Sequence, residues 1–233
     1  MSVDPANLTP KTGAGLPTYG NAAPPLLRPA PFNCLAGTVP TIPSFTPSAY
    51  WTATRTIHDV TIAAAGPGSV VFLGDSITQE LDVSQISPFG VNFGINGDTL
   101  EGLLTRLSAH SAVLSQARAV CLMIGVNDVT AGVSNANIQD YFMRVFNWLT
   151  GPLVWTKTIR TINSTWNTAI DTNNTYVAGQ LSGRSNYAMV DINSQITDGS
   201  GLLLAQYAVD DRHLNAAGQA IWRAAVRAAL ANV

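Results

Sequence analysis

The sequence predicts an α/β domain: a parallel sheet with helices packed on both of its faces. Three observations carry this. Short continuous apolar runs have the length of buried strands, amphipathic stretches of helical period alternate with them, and glycine-bearing turns follow the runs directly. The length of 233 residues fits one substantial domain, and the balance of 46% hydrophobic against 11% charged residues supports a sizeable core.

Ten of the thirteen prolines lie in the first 47 residues, a segment whose only charges are Asp4, Lys11 and Arg28. Proline at this density forbids long helices and central strands, so residues 1–46 read as an irregular arm and 47–233 as the folded domain. The arm reads either as a tether or as a segment docked through Leu26, Leu27, Phe32 and Phe45. Its low charge favours docking, on the domain itself or on a second copy in a homo-oligomer.

From Pro47 onward the elements follow in order. Ser48 can cap a helix running to about Ala64, with Tyr50, Thr54, Ile57 and Thr61 on one side, before Gly66-Pro67-Gly68 stops it. Ser69–Leu73 (SVVFL) is a buried-type strand, and Val91–Phe93 a weaker one. Asp98–Ser108 places Leu100, Leu103, Leu104 and Leu107 at helical spacing, with Asp98 or Thr99 as the cap. Ala119–Ile124 is another apolar strand. Asn135–Leu149 is a helix with Ile138, Phe142, Val145, Phe146 and Leu149 on one face. A strand near Leu153–Ile159, a helix within Ser164–Leu181 and a strand at Tyr187–Ile192 follow. The last helix, Ala216–Ala231, is read with Ile221, Ala224, Ala225 and Ala228 inward.

Several function classes are disfavoured. A net charge of −2 gives no basic footprint for nucleic acid. No apolar run approaches the ~20 residues of a membrane span, and no charged n-region with an apolar h-region opens the chain. The compartment is therefore left open: cytoplasmic by default, secreted if a leader has been trimmed away. Cys34 and Cys121 form no metal-type cluster, and Cys121 reads as a buried thiol more readily than as a disulfide partner of Cys34.

In open α/β sheets, sites gather at the carboxyl ends of the strands. Four motifs are tested against that rule. Gly74-Asp75-Ser76-Ile77-Thr78 follows SVVFL, where a serine hydroxyl would stand at the mouth of the sheet; alone, it equally reads as a helix cap. Asn96-Gly97-Asp98-Thr99 follows the second strand, and glycine at 97 lets the backbone approach a ligand. Gly125-Val126-Asn127-Asp128 follows the third strand; its Asn amide is a neutral oxyanion donor, or simply an Asx-turn. Asp210-Asp211-Arg212-His213-Leu214-Asn215 puts a carboxylate three residues before a histidine, which can orient an imidazole base. His58 and His110 fall in helical stretches and read as surface residues.

The order Ser76, Gly97, Asn127, Asp210–His213 resembles the four blocks of the SGNH (GDSL-like) hydrolases over roughly residues 48–231. The wording VVFLGDSIT and NFGINGDT is especially similar to the platelet-activating-factor acetylhydrolase-like branch. The resemblance implies a three-layer α/β/α, flavodoxin-like fold with a five-stranded parallel sheet. It further implies Ser76 as nucleophile, His213 as base oriented by Asp210, and an oxyanion hole from Ser76, Gly97 and Asn127, with no metal or organic cofactor. Asp211 departs from the glycine many relatives carry there and adds a second carboxylate, while the i−3 spacing favours Asp210.

The expected activity is hydrolysis of short-acyl esters, with a small-molecule or acetylated carbohydrate substrate. Two alternatives are a lipid-directed acyl hydrolase and a non-catalytic binding or assembly module on the same fold.

Overall fold

The computed structural model describes residues 45–233. Five strands, β1 (Val70–Gly74), β2 (Gly90–Gly94), β3 (Ala119–Met123), β4 (Leu153–Thr156) and β5 (Tyr187–Val190), form one sheet in the order β2-β1-β3-β4-β5. Every pairing is parallel. This is the predicted α/β architecture with five strands. The helices are α1 (Ala49–Ala64), α2 (Ser76–Gln79), α3 (Leu100–Leu107), α4 (Ser111–Leu114), α5 (Val126–Thr130), α6 (Asn135–Trp148), α7 (Ser164–Leu181), α8 (Asn193–Ile196) and α9 (Ala216–Leu230). Right-handed crossovers put connections running in opposite directions along a sheet on opposite faces. The connections β2–β3, β3–β4 and β4–β5 all run the same way along the sheet, and their helices α3, α6 and α7 pack side by side; α9, which follows the last strand, packs against β4 and β5.

Burial follows strand position. Every residue of β1, β3 and β4 is buried, whereas the edge strands β2 and β5 are only partly covered. That is why the central strands read as continuous apolar runs and β2 reads weakly. Cys121 lies buried in β3, where loss of solvation pushes its thiol pKa far up; Cys34 lies outside the described residues.

Two helix faces differ from the periodicity reading. In α1, Tyr50 and Ile57 are exposed, and Thr54 and His58 face inward. The helix covers a buried polar cluster instead of an aliphatic surface, so of the four residues read on one side Thr54 is buried and Thr61 half-buried while the two large apolar ones face out. In α9, Ala224 and Ala228 are exposed while Gly218, Trp222, Val226 and Ala229 are buried. One large anchor outweighs several alanines there: the Trp222 indole donates to Thr156 Oγ1 of β4 at 3.0 Å. Phe45, the last of the four apolar residues assigned to docking the arm, packs tilted on Trp51 with ring centroids 5.1 Å apart. Leu26, Leu27 and Phe32 lie outside the described residues.

Candidate active site

β1 lies between β2 and β3, so the turns leaving these three strands converge on one rim of the sheet. Gly74 ends β1 in register with Gly94 of β2 and Met123 of β3. A Cβ at Gly74 would come within 2.1 Å of both the Met123 carbonyl oxygen and Thr78 Oγ1, so only glycine permits the sharp turn into α2. Asp75 is the N-cap of α2 and accepts from the Ile77 amide at 3.0 Å. This separates the two readings of the motif: Asp75 caps, and Ser76 is left with its hydroxyl for another partner.

That partner is His213. Ser76 Oγ lies 2.7 Å from His213 Nε2. His213 Nδ1 lies 2.7 Å from Asp210 Oδ2, and the other carboxylate oxygen accepts from the amides of His213 at 2.8 Å and Arg212 at 2.9 Å. An ionised Asp210 can accept but not donate, so its contact fixes Nδ1–H and turns the Nε2 lone pair toward Ser76. Burial pushes the Asp210 pKa up, but the two amides and the imidazole outweigh this and hold it below the usual carboxylate range. The second carboxylate does not compete. Asp211 takes both Arg212 Nε and Nη2 at 2.8 Å, and this pairing lowers its own pKa.

Gly97 and Asn127 stand on either side of this centre, three residues beyond β2 and four beyond β3. Gly97 has φ +74°, in the left-handed region where a side chain would be strained. Asn127 Nδ2 donates one hydrogen to the Asp98 carbonyl at 2.9 Å. An amide has two such hydrogens, so the contact anchors the side chain and leaves it a second donor. In the opposite direction, the Leu100 amide donates to both Asp128 oxygens at 3.1 and 3.2 Å. The Gly97 and Asn127 turns are thus tied together twice. Thr99, one of the two predicted caps, accepts from the Gly102 amide.

The sequence reading missed the layer beneath. Asp98 is buried and accepts from Arg106 Nε and Trp51 Nε1, each at 2.8 Å. Arg106 Nη2 reaches the Gly74 carbonyl at 3.0 Å, just below the Ser76 turn. His58 and His110 are not surface residues: they are 5% and 0% exposed and pack edge-on against Phe93. Burial, reinforced by Arg106, lowers both imidazoles to about 3, so they take up a proton poorly, and burial keeps them from any substrate. Beside Asp59 and Ser111 both histidines read as solvent-facing, and no spacing along the chain announces the Phe93 and Arg106 contacts that bury them.

Loss of solvation also raises Asp75 to about 7 and Asp128 to about 8. For Asp128 the native state keeps a proton that the unfolded chain releases above about pH 4. Stability therefore falls as pH rises from there to about 8, by up to ~1.4 kcal/mol per unit. Asp128→Asn, whose side-chain oxygen can still accept from Leu100, should flatten that decline in urea titrations across the window. Parallel slopes in both proteins would contradict a buried protonated Asp128.

A family model, the GDSL-like Lipase/Acylhydrolase family, matches residues 72–221. The chain belongs to the GDSL-like lipase/acylhydrolase family. All four blocks named above lie inside the match. Solved structures carry the same fold at low identity. A GDSL-like lipase from Bacteroides thetaiotaomicron is 18% identical, with TM-score 0.64 over 77% of this chain and 98% of that one. A Streptococcus pneumonia protein provisionally described as a platelet activating factor is 20% identical, with TM-score 0.70 over 78% and 92%. An acetyl xylan esterase from Geobacillus stearothermophilus is 19% identical, with TM-score 0.54 over 71% and 97%. No match is found among curated proteins. Among the described residues no group of His, Cys, Asp and Glu could hold a metal ion, and no helix is long and apolar enough to cross a membrane.

Proposed function

We propose that this GDSL-like acylhydrolase is a serine carboxylic-ester hydrolase acting through Ser76, His213 and Asp210. The relay of two 2.7 Å contacts, from Ser76 Oγ to His213 Nε2 and from Nδ1 to Asp210, carries this reading. His213 takes the Ser76 proton as Oγ bonds to the acyl carbon. The alcohol departs with that proton and leaves an acyl-enzyme. Water then gives a proton to Nε2 while its oxygen attacks the same carbon, and collapse returns the proton to Ser76 and frees the acid. The Ser76 and Gly97 amides and the Asn127 side chain are the donors assigned to the oxyanion.

Within the family we assign the chain to the platelet-activating-factor acetylhydrolase-like branch, on the wording of the first two blocks, and take short-acyl esters as its substrates. Acetylated carbohydrate fits that preference, and one structural neighbour is an acetyl xylan esterase. One observation favours longer acyl chains. Val209 and Ile162 are 70% and 52% exposed beside the His213 loop, where the Ile162 amide donates to the Asp211 carbonyl at 3.1 Å. A p-nitrophenyl ester series from acetate to decanoate decides between them. We expect the highest kcat/KM at acetate or butyrate; a maximum at octanoate or beyond overturns the short-acyl assignment in favour of a lipid-directed hydrolase.

A further inference from the structure

Arg212 precedes the proposed base, and the reaction scheme gives it no role, yet its side chain is the most connected in the loop. Nε and Nη2 grip the two Asp211 oxygens at 2.8 Å, and Nη1 donates to Thr130 Oγ1 at 3.2 Å. The guanidinium carbon lies 5.1 Å over the Trp166 ring centroid. Thr130 is the last residue of α5, and its hydroxyl donates to the Asn127 carbonyl at 3.2 Å. Trp166 lies in the first turn of α7, where Asn163 caps the Thr165 and Trp166 amides. The Arg212 amide meanwhile donates to Asp210. One residue therefore touches the carboxylate that orients His213, the α5 turn carrying Asn127, and the start of α7.

We infer that Arg212 is a positioning residue, setting the spacing between the His213 loop and the α5 turn that carries Asn127. This rests on the ester-hydrolase reading above. The chemistry suits the task. A guanidinium is planar, so one group can satisfy a carboxylate through two donors, reach a hydroxyl with a third and lie flat on an indole. Its pairing with Asp211 holds the charge away from Asp210, leaving that carboxylate to the imidazole. The pair is partly exposed, and such pairs add little stability, so its consequence is geometry more than folding energy. A lysine ammonium can pair with Asp211 but cannot make the fork, the hydroxyl contact and the stack together. The carboxylate after Asp210, an oddity in the sequence, thereby gains a function as the anchor of this clamp.

The test uses the full chain as wild type, Arg212→Ala, Arg212→Lys and Thr130→Val, with p-nitrophenyl acetate. Misplacement of reacting groups costs up to about a hundredfold in rate, so Arg212→Ala should lower kcat roughly ten- to a hundredfold with KM within about twofold. Arg212→Lys should recover little of it. Thr130→Val, which removes the Arg212 contact together with the hydroxyl bond to the Asn127 carbonyl but leaves the Asp211 fork and the Trp166 stack, should lower kcat in the same sense by a smaller factor. Millimolar guanidinium should restore part of the Arg212→Ala rate. Proton NMR provides a readout that needs no turnover: a downfield His213 Nδ1–H resonance is expected in the wild type from its 2.7 Å contact with Asp210, and it should broaden or vanish in Arg212→Ala. An unchanged kcat in Arg212→Ala, full rescue by lysine, or an unaltered Nδ1–H resonance overturns the inference. A wild type as inert as Ser76→Ala instead sinks the ester-hydrolase reading, and the NMR comparison still judges the clamp.

Discussion

Ser76→Ala is expected to lower ester turnover by roughly 10⁴-fold or more and to abolish labelling by a fluorophosphonate probe. The size follows from the division of labour in the site. Without Oγ there is no acyl-enzyme, and His213 can only activate water for a direct attack that the site is not arranged to guide. The fold should barely notice. Ser76 is 3% exposed, but the α2 cap belongs to Asp75, and the lost hydroxyl contact with His213 is a single hydrogen bond. Such a bond is worth about 1 kcal/mol net, and a domain of this size moves in Tm by about 2–4 °C for each kcal/mol. The paired measurement is therefore kcat/KM beside a thermal melt. A variant keeping more than about a tenth of the activity would remove Ser76 as nucleophile, and persistent labelling would locate the nucleophile elsewhere.

What the sequence made legible divides along physical lines. The strands β1 and β3 are buried on both faces, so their identity is written in uninterrupted apolar runs; β2, at the edge, is written faintly. The residues of the proposed relay were legible because function fixes their types and the fold fixes their place after a strand. No period or propensity announces the support beneath them. Asp98 reads as one of two candidate caps and Arg106 carries no signal among the leucines of α3, yet the two meet in a fully buried ion pair. His58 and His110 belong to helices whose spacing did suggest a face, but burial of neutral imidazoles around Phe93 depends on tertiary neighbours from three different elements. Polar burial is a property of assembled surfaces, and a linear pattern of apolar residues carries it poorly. The clamp at Arg212 lies between these extremes: Asp211 stood out as unusual, while its partner and the Trp166 platform needed the structure.

The largest expected effect on stability falls on the missed layer. Arg106→Leu should destabilise the protein by about 3–5 kcal/mol, because it strands the Asp98 carboxylate in a site with no solvent. Burial pushes Asp98 up and Arg106 down from their ordinary values, and their mutual attraction at 2.8 Å opposes both shifts. Removing the cation leaves Asp98 with the Trp51 indole alone among the side-chain donors it now has, so the carboxyl must take up a proton or remain an uncompensated charge. The drop in Tm is expected to be roughly 6–20 °C, and it should be smaller at acid pH, where protonation of Asp98 removes the stranded charge. Asp98→Asn with Arg106→Leu should recover much of the loss, since a neutral amide and an alkyl chain no longer require each other. The same substitutions report on the site. Arg106 also holds the Gly74 carbonyl, and Asp98 offers its own carbonyl to Asn127, so loosening the pair should slow turnover in the protein that remains folded. Urea titration of the single and double variants at two pH values measures the first effect, and kcat well below the unfolding range measures the second. If Arg106→Leu costs under about 1 kcal/mol, the pair is not a buried keystone of the rim, and the rigidity of the Ser76 and Gly97 turns must come from their backbone contacts alone.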